Sequence, residues 1–328
     1  MKAARILRPG GPDVFEIAEV DPPEAGAGQV LVKVRCTALN RADLLQRRGQ
    51  YPPPAGVRPD IPGLEYSGVV ANVGEGVDEA AVGSWVMGLL PGAGYAELVV
   101  ATYDQTLEIP KDMEFSGGAA IPEAFCTAWD ALLQAGFLPG MSVLVHAAGS
   151  GVGTAALQLA SAFGAKRVYG TASKTKLDAL ASRELPLDVP IDYRTQAFHD
   201  VIRRDTGGKG VDIILDLIGA SYWTDNLASL AVGGRIVLIG LIGGITTQTN
   251  LGVLLRRRLR VIGTVMRSRS ESEKRAIADQ VRTDLLPLFA TGQLQPVVDR
   301  VFPLEEVAEA HRYMEENRNT GKIVLRVS

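Results

Sequence analysis

Between Val143 and Val265 the chain alternates six short β-branched runs with stretches of helical spacing, and few architectures can accommodate that pattern. The runs are Val143 to Val145, Val168 to Gly170, Val189 to Asp192, Val211 to Leu217, Ile236 to Leu241 and Val261 to Val265. Amphipathic stretches link them in turn: Gly153 to Phe163, Lys174 to Ser182, Ala197 to Arg204, Tyr222 to Leu230 and Leu251 to Arg258. Each run is too short for a buried helix, and strands covered on both faces read as continuous apolar runs rather than as alternation. Repeated strand–helix–strand units of this kind predict an α/β, doubly wound parallel sheet.

The flanks have a different texture. From Met1 to about Val100, Gly and Pro punctuate short apolar runs at Gln29 to Cys36, Gly68 to Val73, Ser84 to Gly88 and Tyr95 to Val100. Several strands between turn signals, with little room for helices, predict a β-rich unit. Beyond the sheet comes one long helical stretch, Glu271 to Thr291, then a strand–helix–strand return through Val297 to Val301, Glu305 to Glu316 and Ile323 to Val327. That tail is expected to pack back on the N-terminal unit. The expected division is residues 1–120, 121–265 and 266–328.

Gross composition excludes several functions. With 34 basic and 37 acidic residues interspersed along 328, no basic stripe suggests nucleic acid or a membrane surface. Two cysteines, Cys36 and Cys126, and three histidines are too few for a zinc lobe or a disulfide framework. No apolar run approaches a membrane span and the first residues lack a signal-peptide core, so the expectation is a cytoplasmic protein. His146, His199 and His311 share no spacing and flank no nucleophile, so they read as structural, and Cys126 reads as core.

The stretch VLVHAAGSGVGTAALQLA, Val143 to Ala160, is a strand, a turn of small residues and a helix. A dinucleotide pyrophosphate needs this order, because small residues let the backbone approach the phosphates and the helix N-terminus presents free N–H groups. The GxGxxG spacing is not met literally: with Gly153 as the last glycine, Ser150 and Ala148 stand at the earlier positions. Gly149, Ser150, Gly151, Val152 and Gly153 are the expected phosphate-binding residues. At the end of the second strand an acid would favour NAD over NADP. Here Thr171 to Lys176 contains no acid, and Ser173 and Lys176 stand where a ribose 2′-phosphate could be met, which points to NADPH. Lys174 and Lys176 are also open to a plainer reading, as solvated residues of a first helical turn.

Six segments carry a resemblance over nearly the whole chain: ALNRADLLQRRGQYPPP (Ala38 to Pro54), PGLEYSG (Pro62 to Gly68), AAIPEAFCTAW (Ala119 to Trp129), the turn above, DLIGASYW (Asp216 to Trp223) and NTGKIVL (Asn319 to Leu325). They resemble the zinc-free quinone oxidoreductases of the medium-chain dehydrogenase/reductase superfamily, the ζ-crystallin relatives, and within them the tumour-suppressor-inducible quinone oxidoreductase group. The resemblance implies a β-rich GroES-like catalytic domain, a Rossmann cofactor domain inserted between its two parts, an active site in a cleft, and a homodimer formed through cofactor-domain edge strands. Zinc alcohol dehydrogenases place a Cys and a His where this chain resembles them at Asn40 and Leu64, so no metal ligand set is expected. Without a Lewis acid, alcohol oxidation is disfavoured, and the remaining chemistry is hydride delivery to an acceptor that is already electrophilic.

The resemblance also assigns roles. Asn40 is implied as a donor to the acceptor carbonyl, with a helix N-cap as the equal alternative. Tyr51 is implied as a hydrogen-bond or proton donor, with a packing role beside three prolines as its alternative. Asp43 is read as orienting the helix after Asn40. Thr127 and the run from Gly240 to Gly244, including Leu241 and Ile242, are expected near the nicotinamide. Tyr193 is expected near the adenosine phosphate, and Asn319 at the cofactor. Arg267 and Arg269 follow the sixth strand near the expected dimer edge and cleft, and a solvated face is the favoured of these readings. The expected function is NADPH-dependent quinone reduction. One alternative is reduction of a 2-alkenal, enone or enoyl thioester, in which Tyr51 would be an essential acid. The other, from a different class, is a non-catalytic NADPH-binding, crystallin-like or RNA-binding protein.

Overall fold

The computed structural model describes all 328 residues and resolves into two compact units, Met1–Cys126 with Arg267–Ser328, and Thr127–Met266.

The first unit begins with a hairpin of β1 (Lys2–Ile6) and β2 (Phe15–Glu19), followed by the long strand β3 (Gln29–Ala38), helix α1 (Arg41–Arg47), and strands β4 (Glu65–Val73), β5 (Trp85–Leu89), β6 (Leu98–Thr102) and β7 (Leu107–Glu108). Strand β3 alternates as its sequence requires, burying Val30, Val32 and Val34 against Tyr66, Val70 and Val99. Helix α2 (Phe115–Ala119) closes this stretch. Helix α3 (Pro122–Gln134) follows, and the division between the units falls within it.

The second unit holds strands β8 (Ser142–Val145), β9 (Arg167–Ala172), β10 (Val189–Asp192), β11 (Val211–Asp216), β12 (Leu230–Leu238) and β13 (Arg260–Gly263). Their helices are α4 (Gly151–Ala162), α5 (Lys174–Ser182), α6 (Phe198–Asp205), α7 (Trp223–Ser229) and α8 (Leu251–Arg257). All six strands pair in parallel in the order β10-β9-β8-β11-β12-β13, the doubly wound arrangement with its reversal beside β8. Every residue of β8 is buried, so its apolar run reflects cover on both faces. Asp212 pins β8 to β11 by accepting from both the N–H and the hydroxyl of Ser142, each at 2.8 Å. No helix is long and apolar enough to cross a membrane.

The chain then returns to the first unit through α9 (Glu271–Gln280), α10 (Leu286–Ala290), β14 (Val298–Pro303), α11 (Val307–Glu315) and β15 (Lys322–Arg326). β15 pairs antiparallel with β3 and completes a sheet ordered β14-β15-β3-β4-β5-β7, with β6 also on β3. The expected helical stretch from Glu271 to Thr291 is continuous as far as Ala290, with α9 and α10 joined by a π-helical turn at Val281–Leu285. Pro287 supplies no N–H to the ladder there, and a wider turn absorbs the interruption.

Candidate active site

In the first unit, four elements begin or end beside one another and place charges where their neighbours are apolar. Glu65 opens β4, Asn40 precedes α1, Glu123 lies in the first turn of α3, and Lys322 opens β15. The Glu65 and Lys322 side chains are 0% and 5% exposed and form an ion pair at 2.7 Å. Glu65 Oε1 also accepts from Asn40 Nδ2 at 2.8 Å, and its Oε2 accepts from the Glu123 backbone N–H at 2.8 Å. Lys322 Nζ donates to Leu39 O at 2.8 Å and to Asn40 Oδ1 at 2.6 Å. A buried ion pair is tolerable only when its remaining donors and lone pairs are satisfied, as they are here. Burial pushes the Glu123 carboxyl up to about 8, with the Glu65 charge adding to the shift.

Asn40 sits at the N-cap position of α1, where its backbone N–H donates to Asp43 Oδ2 at 2.7 Å, while its side-chain amide turns to Glu65 and Lys322. Asp43 is fully buried and also accepts from Gly63 N–H at 3.1 Å and Tyr95 O–H at 3.0 Å, so it orients the helix as expected. Burial raises its carboxyl to about 6 against these hydrogen bonds. Tyr51 is half-buried, and burial raises its phenol above the ordinary value, opposed by the Arg267 charge.

Arg267 corrects an expectation. It is 8% exposed, not a solvated residue, and its guanidinium lies 4.8 Å from the Tyr51 ring centroid. It donates to Pro91 O at 2.8 Å, Tyr51 O at 3.2 Å and Gln46 Oε1 at 2.9 Å. A planar fork with several fixed donors suits such a role, and nothing in the surrounding sequence signals these partners. Asn319 is buried, and its amide donates to Gly321 O at 2.7 Å, closing the turn before Lys322.

In the second unit, the turn after β8 has the geometry its composition suggested. Ser150 caps α4, its hydroxyl accepting from Gly153 N–H at 3.0 Å, and Gly151 and Val152 form the first turn. A Cβ on Gly153 would run into the Ala147 carbonyl oxygen and lie 2.8 Å from Ala148 Cα, so helix and strand meet too closely for any larger residue. A Cβ on Gly149 would lie 2.9 Å from Lys176 Cδ. The fold therefore brings Lys176 onto this turn, while Lys174 pairs with Asp178 one helical turn on. Ser173 is the N-cap of α5 and makes no capping hydrogen bond with its side chain.

Tyr193 follows β10 and is 46% exposed, with its N–H donating to Ala172 O at 3.3 Å. Gly240, Leu241 and Ile242 follow the carboxyl end of β12, the last two exposed. Thr127 Oγ1, on α3, is buried without a hydrogen-bond partner. A buried orphan hydroxyl is costly, and a bound polar group that reached it would satisfy it.

A polar chain that sequence reasoning missed supports the carboxyl ends of the central strands. Asp216 accepts from Ile218 N–H at 2.7 Å and Asn226 Nδ2 at 3.0 Å, and Asn226 Oδ1 faces His146 Nε2 at 2.6 Å. Since Asn226 gives its nitrogen end to Asp216, His146 must carry its proton on Nε2, and its Nδ1 accepts from Thr171 O–H at 2.8 Å. Thr171 therefore faces inward. Burial lowers the His146 imidazole to about 4, so it is neutral, and its role is structural as expected.

Residues 26–111 match the family model described as the alcohol dehydrogenase GroES-like domain, and residues 185–325 match the one described as zinc-binding dehydrogenase. Quinone oxidoreductase of Sus scrofa is 32% identical over 99% of this chain and 97% of its own length. The synaptic vesicle membrane protein VAT-1 homolog of Rattus norvegicus is 36% identical over 93% of this chain and 78% of that protein. This chain belongs to the medium-chain dehydrogenase/reductase superfamily. Among solved structures, the CurK enoyl reductase superposes with a TM-score of 0.88 at 29% identity, covering 100% of this chain and 99% of that one. A mycobacterial protein complexed with NADPH gives 0.88 at 28% identity, covering 100% of both chains.

One family description names zinc, and the residues here do not fit that metal. Leu64 has no donor atom, the Asn40 amide oxygen already faces the Lys322 ammonium, and no group of three His, Cys, Asp or Glu side chains is arranged to hold an ion. In this member of the superfamily a fixed cation stands among the donors instead. Glu65, Glu123 and Lys322 lay inside motifs the sequence displayed. The signal that could have found them is opposite charges at the openings of otherwise apolar strands, a pattern that becomes a pair only when β15 and β4 are brought together through β3.

Proposed function

We propose that the chain is an NADPH-dependent, zinc-independent quinone oxidoreductase that works by direct hydride transfer and acts in the cytoplasm as a homodimer. The observation that carries this reading is the donor set around Asn40, Glu65 and Lys322, which offers hydrogen bonds and a fixed charge but no metal ligands. A site so equipped suits an acceptor that is electrophilic without a Lewis acid. The NADPH assignment is supported by Lys176 packed on Gly149 and by the lack of any acid between Thr171 and Lys176.

The second unit would hold the dinucleotide. Gly149 to Gly153 and the N-terminus of α4 would take the pyrophosphate, Ser173, Lys176 and Tyr193 the adenosine phosphate, and Thr127 with Gly240 to Ile242 the nicotinamide. When bound, the reduced nicotinamide supplies a hydride, two electrons with one proton. Asn40 donates from its amide to the acceptor carbonyl as charge develops on that oxygen. Tyr51 stays protonated at neutral pH, because its phenol is raised by burial, and helps to polarise the acceptor by donating a hydrogen bond to it. With the hydride already delivered, one proton completes the hydroquinone, and water supplies it. Exposed Val261 on the unpaired edge of β13, with Val265 just beyond it, supports a dimer through that edge.

The protonated Tyr51 also favours a second reading, reduction of an enone or enoyl thioester, in which the acid must protonate carbon. Initial rates of NADPH and NADH oxidation against an ortho-quinone, a para-quinone and an enone decide between them. Quinone turnover with NADPH, with Tyr51→Phe changing it only a few-fold, is the expected result. Fast alkene reduction abolished by Tyr51→Phe would replace the first reading by the second. Tight NADPH binding without turnover would end both in favour of a non-catalytic NADPH-binding role.

A further inference from the structure

The Lys322 ammonium has three N–H bonds and meets three oxygens, Leu39 O, Asn40 Oδ1 and Glu65 Oε1, at 2.8, 2.6 and 2.7 Å. An ammonium has no acceptor, so the end of the Asn40 amide that faces it must be oxygen. The nitrogen end then faces Glu65 Oε1 at 2.8 Å, and its other N–H has only a 3.4 Å approach to Ala38 O. The terminal torsion of an asparagine is soft and nearly two-fold, so without such partners both orientations are populated. In the flipped one, the amide would present its oxygen to an acceptor that is gaining negative charge.

We propose that Lys322 is a positioning residue for reduction, locking the Asn40 amide, together with Glu65, so that one N–H is kept for the acceptor carbonyl. Lys322 touches no acceptor itself, because its own N–H groups are all taken. The inference rests on the reading of Asn40 as the donor, and it makes a cation the element that selects which face the amide shows.

A double-mutant cycle in the full chain tests it. Lys322→Met alone leaves Glu65 buried without a counter-ion and can fail to fold, so the pair E65Q/K322M removes both charges while keeping an acceptor for Asn40 Nδ2. Turnover is followed with NADPH and either phenanthrenequinone or a crotonyl thioester, and the Asn40 side-chain amide is followed by its nitrogen–proton resonances, assigned by their loss in N40A. The expected result is that N40A and E65Q/K322M each lower kcat on the order of 100-fold with the KM for NADPH unchanged. Combining all three substitutions should lower kcat no further than N40A does. The Asn40 amide resonances should shift in E65Q/K322M.

A combined loss equal to the product of the two separate losses would mean that Lys322 acts independently of Asn40, and would overturn the inference. Unmoved amide resonances in E65Q/K322M would overturn it as well. Full turnover in N40A sinks the donor role of Asn40 instead, and the resonances then decide the positioning of the amide by themselves: a shift upholds the lock, and no shift ends it.

Discussion

Gly149 and Gly153 lie in one turn, yet a methyl group added at each meets different matter. At Gly153 it meets the Ala147 carbonyl and the Ala148 backbone, which cannot move without separating α4 from β8. At Gly149 it meets the stem of Lys176, a flexible chain. Gly153→Ala should therefore destabilise the fold by about 1–3 kcal/mol, the usual range for an overpacked core. Gly149→Ala should leave the denaturation midpoint nearly unchanged and weaken NADPH binding by displacing Lys176. Urea unfolding and fluorescence titration of NADPH check the pair, and equal midpoints for the two variants would refute the distinction. Residue roles of this kind were only half legible. The turn could be read because glycine and serine before a helix have a local meaning. Arg267 could not, because its partners Gln46, Tyr51 and Pro91 lie more than 170 residues away.

At the scale of elements, the strands of the second unit were readable because burial on both faces imposes continuous apolar runs, a property of each strand alone. The hairpin of β1 and β2 was not, since its half-exposed residues lack a sustained alternation. The helix after Glu271 carried the right period but not its widened turn, because a period does not report how the Pro287 defect is absorbed. The edge of β13 carries the proposed dimer. Replacing Val261 and Val265 by lysine places charge along an edge that would otherwise pair, a device natural sheets use against such pairing. Light scattering should show the parent chain at twice its monomer mass and the double variant at the monomer mass, with unchanged circular dichroism. A parent chain that already runs as a monomer would dismiss the dimer.

For the molecule as a whole, acid should act through buried groups with opposite signs. His146 is held neutral, with its folded value near 4 against about 6.5 when unfolded, so the unfolded chain binds a proton first as pH falls through that window. This group alone removes up to about 3 kcal/mol between pH 6.5 and 4. Asp43 opposes it. With a folded value raised to about 6, it keeps its proton in the native state, so its contribution to stability grows as pH falls from 6 toward 4. His146→Gln, which keeps a neutral hydrogen-bonding side chain, should flatten the acid loss seen in urea midpoints. An unchanged slope would exclude His146 as its source.

The sequence by itself determined the doubly wound sheet, the strand–turn–helix after β8, and the superfamily, because each follows from local periodicity or from contiguous motifs. Only the tertiary structure decided that Glu65 pairs with Lys322, that Lys176 rather than Lys174 reaches the turn, and that Asn40 has its amide held by a cation. Those facts depend on which distant residues burial forces together. A charge in water gives no sign of the partner it will need once folding removes the water.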